Sequence, residues 1–153
     1  MGNHPNRHLK FNSFEDALAE LKNLERGPVE TTGLWSFFQI LTHCAESLEF
    51  CVSRYPGEAP WLIRATIGRL AFKELMRKGY FRPGTPNPRA FKKREEGDEN
   101  SAMARLKKAI ADFQAYTGPM ALHPFYGKIG REDFERLQII HLAHHLGFAR
   151  IKT

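Results

Sequence analysis

The sequence predicts an all-α protein: a four-helix bundle with an additional short helix and a long loop at 79–98. Three observations lead there. Apolar residues recur at steps of three and four in five separate stretches. Glycine and proline punctuate those stretches, in "GP" at 27–28, "YPGEAP" at 55–60, Gly79 and "TGP" at 117–119. No stretch alternates convincingly, so no strand is expected. Four main helices of similar length with short or medium connections make a bundle. The chain has 153 residues, 42% of them hydrophobic, enough for one domain with a core that needs no disulfide. Residues 13–153 are expected to form that domain, and 1–12 a flexible N-terminus.

Each element has its own signal. Ser13 followed by Phe14, Glu15 and Asp16 reads as an N-cap with early acids, and Phe14, Leu18, Leu21 and Leu24 continue the helix. Thr31 or Thr32 is expected to cap a second helix through "LWSFFQILTHCAESLEFCVSR", residues 34–54. Apolar residues cover more than half of its wheel, which makes it central. Pro60 suits the first turn of a third helix at about 60–78. Pro83, Gly84, Pro86, Pro88 and Gly97 make 79–98 a long loop, with Tyr80, Phe81 and Phe91 available to pack down. Asn100 or Ser101 is expected to start a fourth helix with Met103, Leu106, Ile110 and Phe113 on one stripe. "MALHPFYGKIG" is a second loop. The last helix, about 131–149, opens on "RED", acids that favour its N-terminal dipole.

No apolar stretch approaches the ~20 residues that span a bilayer. The start, "MGNHPNRHLKFN", has no apolar signal region, and Asn6 departs from the myristoylation pattern. A cytoplasmic protein without a membrane partner is expected. Cys44 and Cys51 lie seven apart in a helical stretch, about 10 Å between Cα atoms, beyond the ~7 Å limit of a disulfide. They read as free, buried small hydrophobes. Residues 64–94 hold ten basic residues (Arg64, Arg69, Lys73, Arg77, Lys78, Arg82, Arg89, Lys92, Lys93, Arg94) against one acid, Glu74. Such a stripe is either a solvated face or an anion-binding surface. Nucleic acid is the weaker partner, because the stripe lacks a helix-turn-helix context and shares its loop with prolines and glycines.

The histidines carry the chemistry. "HLAHH" at 141–145 places His141 and His145 one turn apart on one helix face, where neutral imidazoles hold a divalent ion at about 2.0–2.1 Å. His144 could substitute but cannot easily join both neighbours on one ion. His4 and His8 share the i,i+4 spacing, but Pro5 and the terminal position make that pair disordered. The pair alone is a weak motif, so a third ligand decides. His43, on the most apolar helix, is either that ligand or a histidine satisfied by a neighbour such as Glu46. Three histidines on facing helices would make the open site of catalytic metals. His123 in "LHPFYG" is a fourth candidate, as ligand, proton donor or cap. No glycine-rich phosphate loop, Gly-x-Ser-x-Gly elbow or Cys-x-x-Cys pair is present.

"WSFFQILTHCAESLEF" resembles the second helix of the DinB-like (YfiT-like) metalloenzyme superfamily, which has Trp-Ser and then, after six residues, a ligand histidine. Here those are Trp35, Ser36 and His43. "HLAHHLG" resembles the late His-x-x-x-His segment of that superfamily, and "LHPFYGKIGREDFERLQIIHLAHHLGF" looks like an uncharacterised branch of it. The resemblance covers roughly 13–149. It implies a four-helix bundle with a three-histidine site at His43, His141 and His145 for a divalent metal, zinc or nickel. It also implies thiol-dependent transferase or isomerase chemistry and frequent dimers, hence a homodimer as a candidate partner. Many relatives continue His-His-Arg-Gly-Gln, where this chain has Leu146, Gly147 and Phe148 after the two histidines.

The leading expectation is a metal-dependent hydrolase or low-molecular-weight-thiol transferase acting on a small-molecule substrate. Arg69, Lys73 and Arg77, spaced i, i+4, i+8, would attract the carboxylates of the thiol; Glu46 would orient His43 or act as a base, and His123 would donate a proton. The alternatives are a non-catalytic module binding an anionic partner through 64–94, and a helical protein with satisfied histidines.

Overall fold

The computed structural model describes residues 6–82, 84 and 95–153. They form five helices and a small two-stranded sheet: α1 Phe14–Leu24, β1 Val29–Thr31, α2 Phe37–Val52, α3 Trp61–Lys78, α4 Glu99–Ala115, α5 Arg131–Leu146 and β2 Ala149–Ile151. Helix α3 is built from a first turn Trp61–Ile63, a π-helical segment Arg64–Gly68 and an α-helical segment Arg69–Lys78. His4, Arg89, Phe91, Lys92, Lys93 and Arg94 lie outside the described residues, as does most of the expected loop at 79–98.

Helix α2 is the spine. It buries Phe37, Ile40, Leu41, Cys44, Ala45, Leu48 and Cys51, and α4 answers with Ala102, Met103, Leu106, Ala109, Ile110 and Phe113. These two helices pack along most of their length, α5 crosses α2, and α1 lies on α4 and α5. Each fully buried Leu, Ile or Phe contributes about 1.5–3 kcal/mol, so the α2–α4 seam is where stability concentrates. Cys44 and Cys51 are buried and free. Burial pushes both thiols up, Cys51 to about 12, which removes them as nucleophiles.

Several boundaries differ from expectation. Ser36, not Thr31 or Thr32, caps α2: its Oγ accepts from Gln39 N at 3.2 Å while Gln39 Oε1 accepts from Ser36 N at 3.1 Å, a reciprocal capping box. The threonines are used otherwise. Residues 29–31 pair antiparallel with 149–151, Val29 opposite Ile151 and Thr31 opposite Ala149, and Thr32 donates its N–H to Phe148 O at 2.9 Å. This sheet corrects the strand-free reading and ends α5 at Leu146 rather than 149. Asp98, not Asn100 or Ser101, caps α4 through Ser101 N at 2.7 Å. Asn6 and Arg7, in the stretch read as a flexible terminus, are tied to the end of α5. Asn6 is 6% exposed and donates Nδ2 to His144 O at 2.8 Å. Arg7 donates its N–H to Gly147 O and its guanidinium to Leu146 O. The arm thus satisfies carbonyls that the end of α5 leaves open.

Candidate metal centre

Two helices meet at the site. His43 sits mid-α2, between Leu41 and Cys44 in an otherwise apolar buried row, and is 9% exposed. His141 and His145 lie one turn apart on α5 and are half-buried. The three imidazoles offer ring nitrogens all within 4.8 Å of one another. His43 Nε2 and His141 Nε2 are 3.0 Å apart. Ring centroids are 4.8 Å apart for His43–His141, 4.4 Å for His43–His145 and 4.5 Å for His141–His145. Two nitrogens at 2.0–2.1 Å from one tetrahedral ion would lie about 3.3 Å apart, so the observed approach suits a pair of ligands.

Trp35 walls this cluster. Its indole stacks on His145 at 5.3 Å, 3° from parallel, and meets His43 edge-on at 4.9 Å. The β1–β2 pairing brings the start of α2 back to the end of α5, which is what carries Trp35 across to both ligand helices. Phe81 closes another side, 6.1 Å from His141 and 5.6 Å from His144.

Burial sets the electrostatics. It pushes His43 down to about 4, with the neighbouring His144 adding to the effect. Burial first, and the adjacent histidines second, hold His141 and His145 well below the usual imidazole range. All three are therefore neutral at pH 7, the form a metal requires. His141 Nδ1 and Gln138 Oε1 are buried without a hydrogen-bond partner among the described residues. They stand three residues apart on α5. One is a donor once Nε2 faces an ion, and the other is an acceptor. The donor set and this unpaired nitrogen both fit a divalent ion.

The other sequence candidates lie elsewhere. His144 is beside His145, at 4.9 Å between centroids, and stacks edge-on with Phe148; it faces an open cleft of about 770 Å³ between the N-terminal arm, the end of α3 and α5. His123 folds its own turn: Nδ1 accepts from Phe125 N at 3.2 Å and Tyr126 N at 3.0 Å, and the ring stacks on Tyr126. Glu46 is half-buried, 3.9 Å from Arg105, and burial raises its carboxyl. Arg69, Lys73 and Arg77 occupy the exposed side of α3. Arg69 donates to Lys128 O, and Arg77 forks onto Glu74 with two bonds of 2.8 Å. Among the described residues none of these three touches the histidine cluster. Residues that sequence reasoning passed over are Phe81 and Gln138; the signal for Gln138 was an uncharged polar residue one turn before His141 on the same face.

A family model described as a protein of unknown function (DUF1569) matches residues 3–152. No curated protein and no solved structure matches the chain.

Proposed function

We propose that this chain, which belongs to the DUF1569 family, is a divalent-metal-binding protein of DinB-like four-helix-bundle architecture that catalyses a metal-dependent hydrolysis. The observation that carries the reading is the convergence of His43, from α2, with His141 and His145, from α5, across the bundle. Three neutral imidazoles on one divalent ion would leave a fourth coordination position for solvent or substrate. Zinc and nickel both suit such a donor set. A divalent ion held there supplies Lewis acidity and lowers the pKa of a coordinated water or thiol.

The chain's own residues then do three things. His43, His141 and His145 fix the position of the reacting group. Trp35 and Phe81 exclude bulk water from two sides, which strengthens every charge interaction inside. Gln138 Oε1 and the outer nitrogen of His141 are an unpaired acceptor and an unpaired donor three positions apart on α5, and their pairing would set the tautomer of His141. The hydrolytic reading is favoured over thiol transfer because Arg69, Lys73 and Arg77, which would draw a carboxylated thiol, are exposed on α3, and two of them are engaged with other groups. Leu146 and Phe148 likewise supply no polar group where many DinB-like relatives have Arg and Gln.

The test is a panel of small esters, amides and lactones offered to untagged protein loaded with zinc or nickel, with and without glutathione. Thiol-independent turnover that chelation and His145→Ala both abolish supports hydrolysis. Turnover only with the thiol assigns transfer instead. Tight binding of an anionic polymer that survives His43→Ala and falls steeply with salt would favour the interaction module.

A further inference from the structure

Cys51 lies on the same helix as His43 and is fully buried, yet its sulfur sits among polar atoms. Sγ donates to Ser47 O at 3.1 Å, accepts from Gln138 Nε2 at 3.2 Å and stands 3.3 Å from the Tyr55 hydroxyl. A thiol has one proton to give. With that proton on Ser47 O, the sulfur meets both Gln138 and Tyr55 as an acceptor. An amide has a donor end and an acceptor end, so it is the donor end of Gln138 that turns to α2. Its acceptor end is left over: Gln138 is 2% exposed, and Oε1 has no partner among the described residues. The same is true of His141 Nδ1, three positions later on α5, and residues at that spacing share a helix face.

We infer that Cys51 is a positioning residue for His141: by holding the donor end of the Gln138 amide against α2, it reserves Oε1 for a proton on His141 Nδ1 and keeps His141 Nε2 bare. The inference rests on the metal reading, in which Nε2 is the atom that ligates. A neutral imidazole carries one N–H, and the hydrogen bond at one nitrogen decides which nitrogen holds it. With the amide reversed, the NH2 of Gln138 would face Nδ1, the proton would move to Nε2, and no lone pair would be left there for an ion. The 3.0 Å contact of the two Nε2 atoms has His43 as its donor when His141 Nε2 is bare. The thiol does this without ionising. Burial pushes it up to about 12, so its proton stays on sulfur and on Ser47 O. An apolar residue would fill the same space, as buried cysteines usually do, but would leave the amide free to turn over.

Long-range proton–nitrogen correlation spectra of the untagged, metal-free full chain, isotope-labelled at histidine, read the tautomer directly at neutral pH. In the wild type His141 should carry its proton on Nδ1. Cys51→Val should shift that proton towards Nε2 and weaken zinc binding about tenfold, as loss of an outer partner of a ligand does, read by competition with a chromophoric chelator. Cys51→Ser, which donates to Ser47 O and accepts from Gln138 as the thiol does, should keep the wild-type tautomer and affinity. A wild-type His141 protonated on Nε2 overturns the inference whether or not any variant folds. A folded Cys51→Val with the wild-type tautomer overturns it equally. A wild type that holds the Nδ1 proton, loses it in Cys51→Val and yet takes up no zinc upholds the role of Cys51 and refutes the metal reading alone.

Discussion

His141 is the residue on which the site turns. Its Nε2 faces His43 at 3.0 Å, and its Nδ1, like Gln138 Oε1 three positions earlier on α5, is buried without a partner among the described residues. Substituting Gln138→Leu, nearly isosteric and apolar, should leave the fold intact and weaken metal binding 10–100-fold, read by competition with a chromophoric chelator; unchanged affinity would remove Gln138 from the site. The same burial predicts a pH effect on the metal-free protein. His43 titrates near 4 when folded and near the ordinary imidazole value of 6.5 when unfolded, so the unfolded chain binds the extra proton between those values. Stability is then fully present above about 6.5 and falls as pH drops towards 4, by up to about 3 kcal/mol from His43 alone. Urea midpoints measured across that window check it, and His43→Leu should flatten the slope. The triad was legible beforehand because ligand spacing on one helix and a polar residue in an apolar row are both one-dimensional signals. Phe81 and Gln138 were not, because neither pattern says which ring or amide lies beside a given imidazole across the fold.

At the level of elements, two glycines decide how the ligand helices are held. A Cβ on Gly68 would stand 2.0 Å from Phe125 O, a backbone atom that cannot rotate away. The close approach of the π-helical segment of α3 to the 123–127 turn therefore requires glycine. Gly68→Ala should cost about 2 kcal/mol or more, read as a lowered urea midpoint. A Cβ on Gly147 would meet Asn6 Oδ1 at 2.2 Å. Gly147→Ala should release residues 6–12 from the carbonyls of His144, Leu146 and Gly147, seen as faster amide exchange of the arm and a stability loss of about 1–3 kcal/mol. Protection of the arm unchanged in that variant would show that it is anchored elsewhere. The helices were readable from their apolar period, and Ser13 and Gly79 from their caps. The β1–β2 pair was not: three residues are too few to alternate, and the two strands stand about 120 positions apart. Thr31 and Thr32 imitated a cap because β-branched hydroxyl residues serve both strands and helix starts.

At the scale of the whole molecule, the fold gathers three metal-competent side chains from the first third and the end of the chain, and seals them with Trp35 carried in by the sheet. Metal binding must then be linked to stability. At a hundredfold excess of free ion over its dissociation constant the folded state gains about 2.7 kcal/mol, a rise in Tm of several degrees that His141→Ala should abolish. No helix among the described residues is long and apolar enough to cross a membrane. The net charge of +6 leaves the surface basic, so native purification should avoid phosphate and nucleic-acid carry-over before metal is counted. Elemental analysis of untagged protein, as purified and after zinc or nickel reconstitution, tests the metal centre most directly. Close to one ion per chain in the wild type, falling below about 0.1 in His141→Ala, is the expected result. A wild type that holds no ion as purified and takes up neither zinc nor nickel would contradict it.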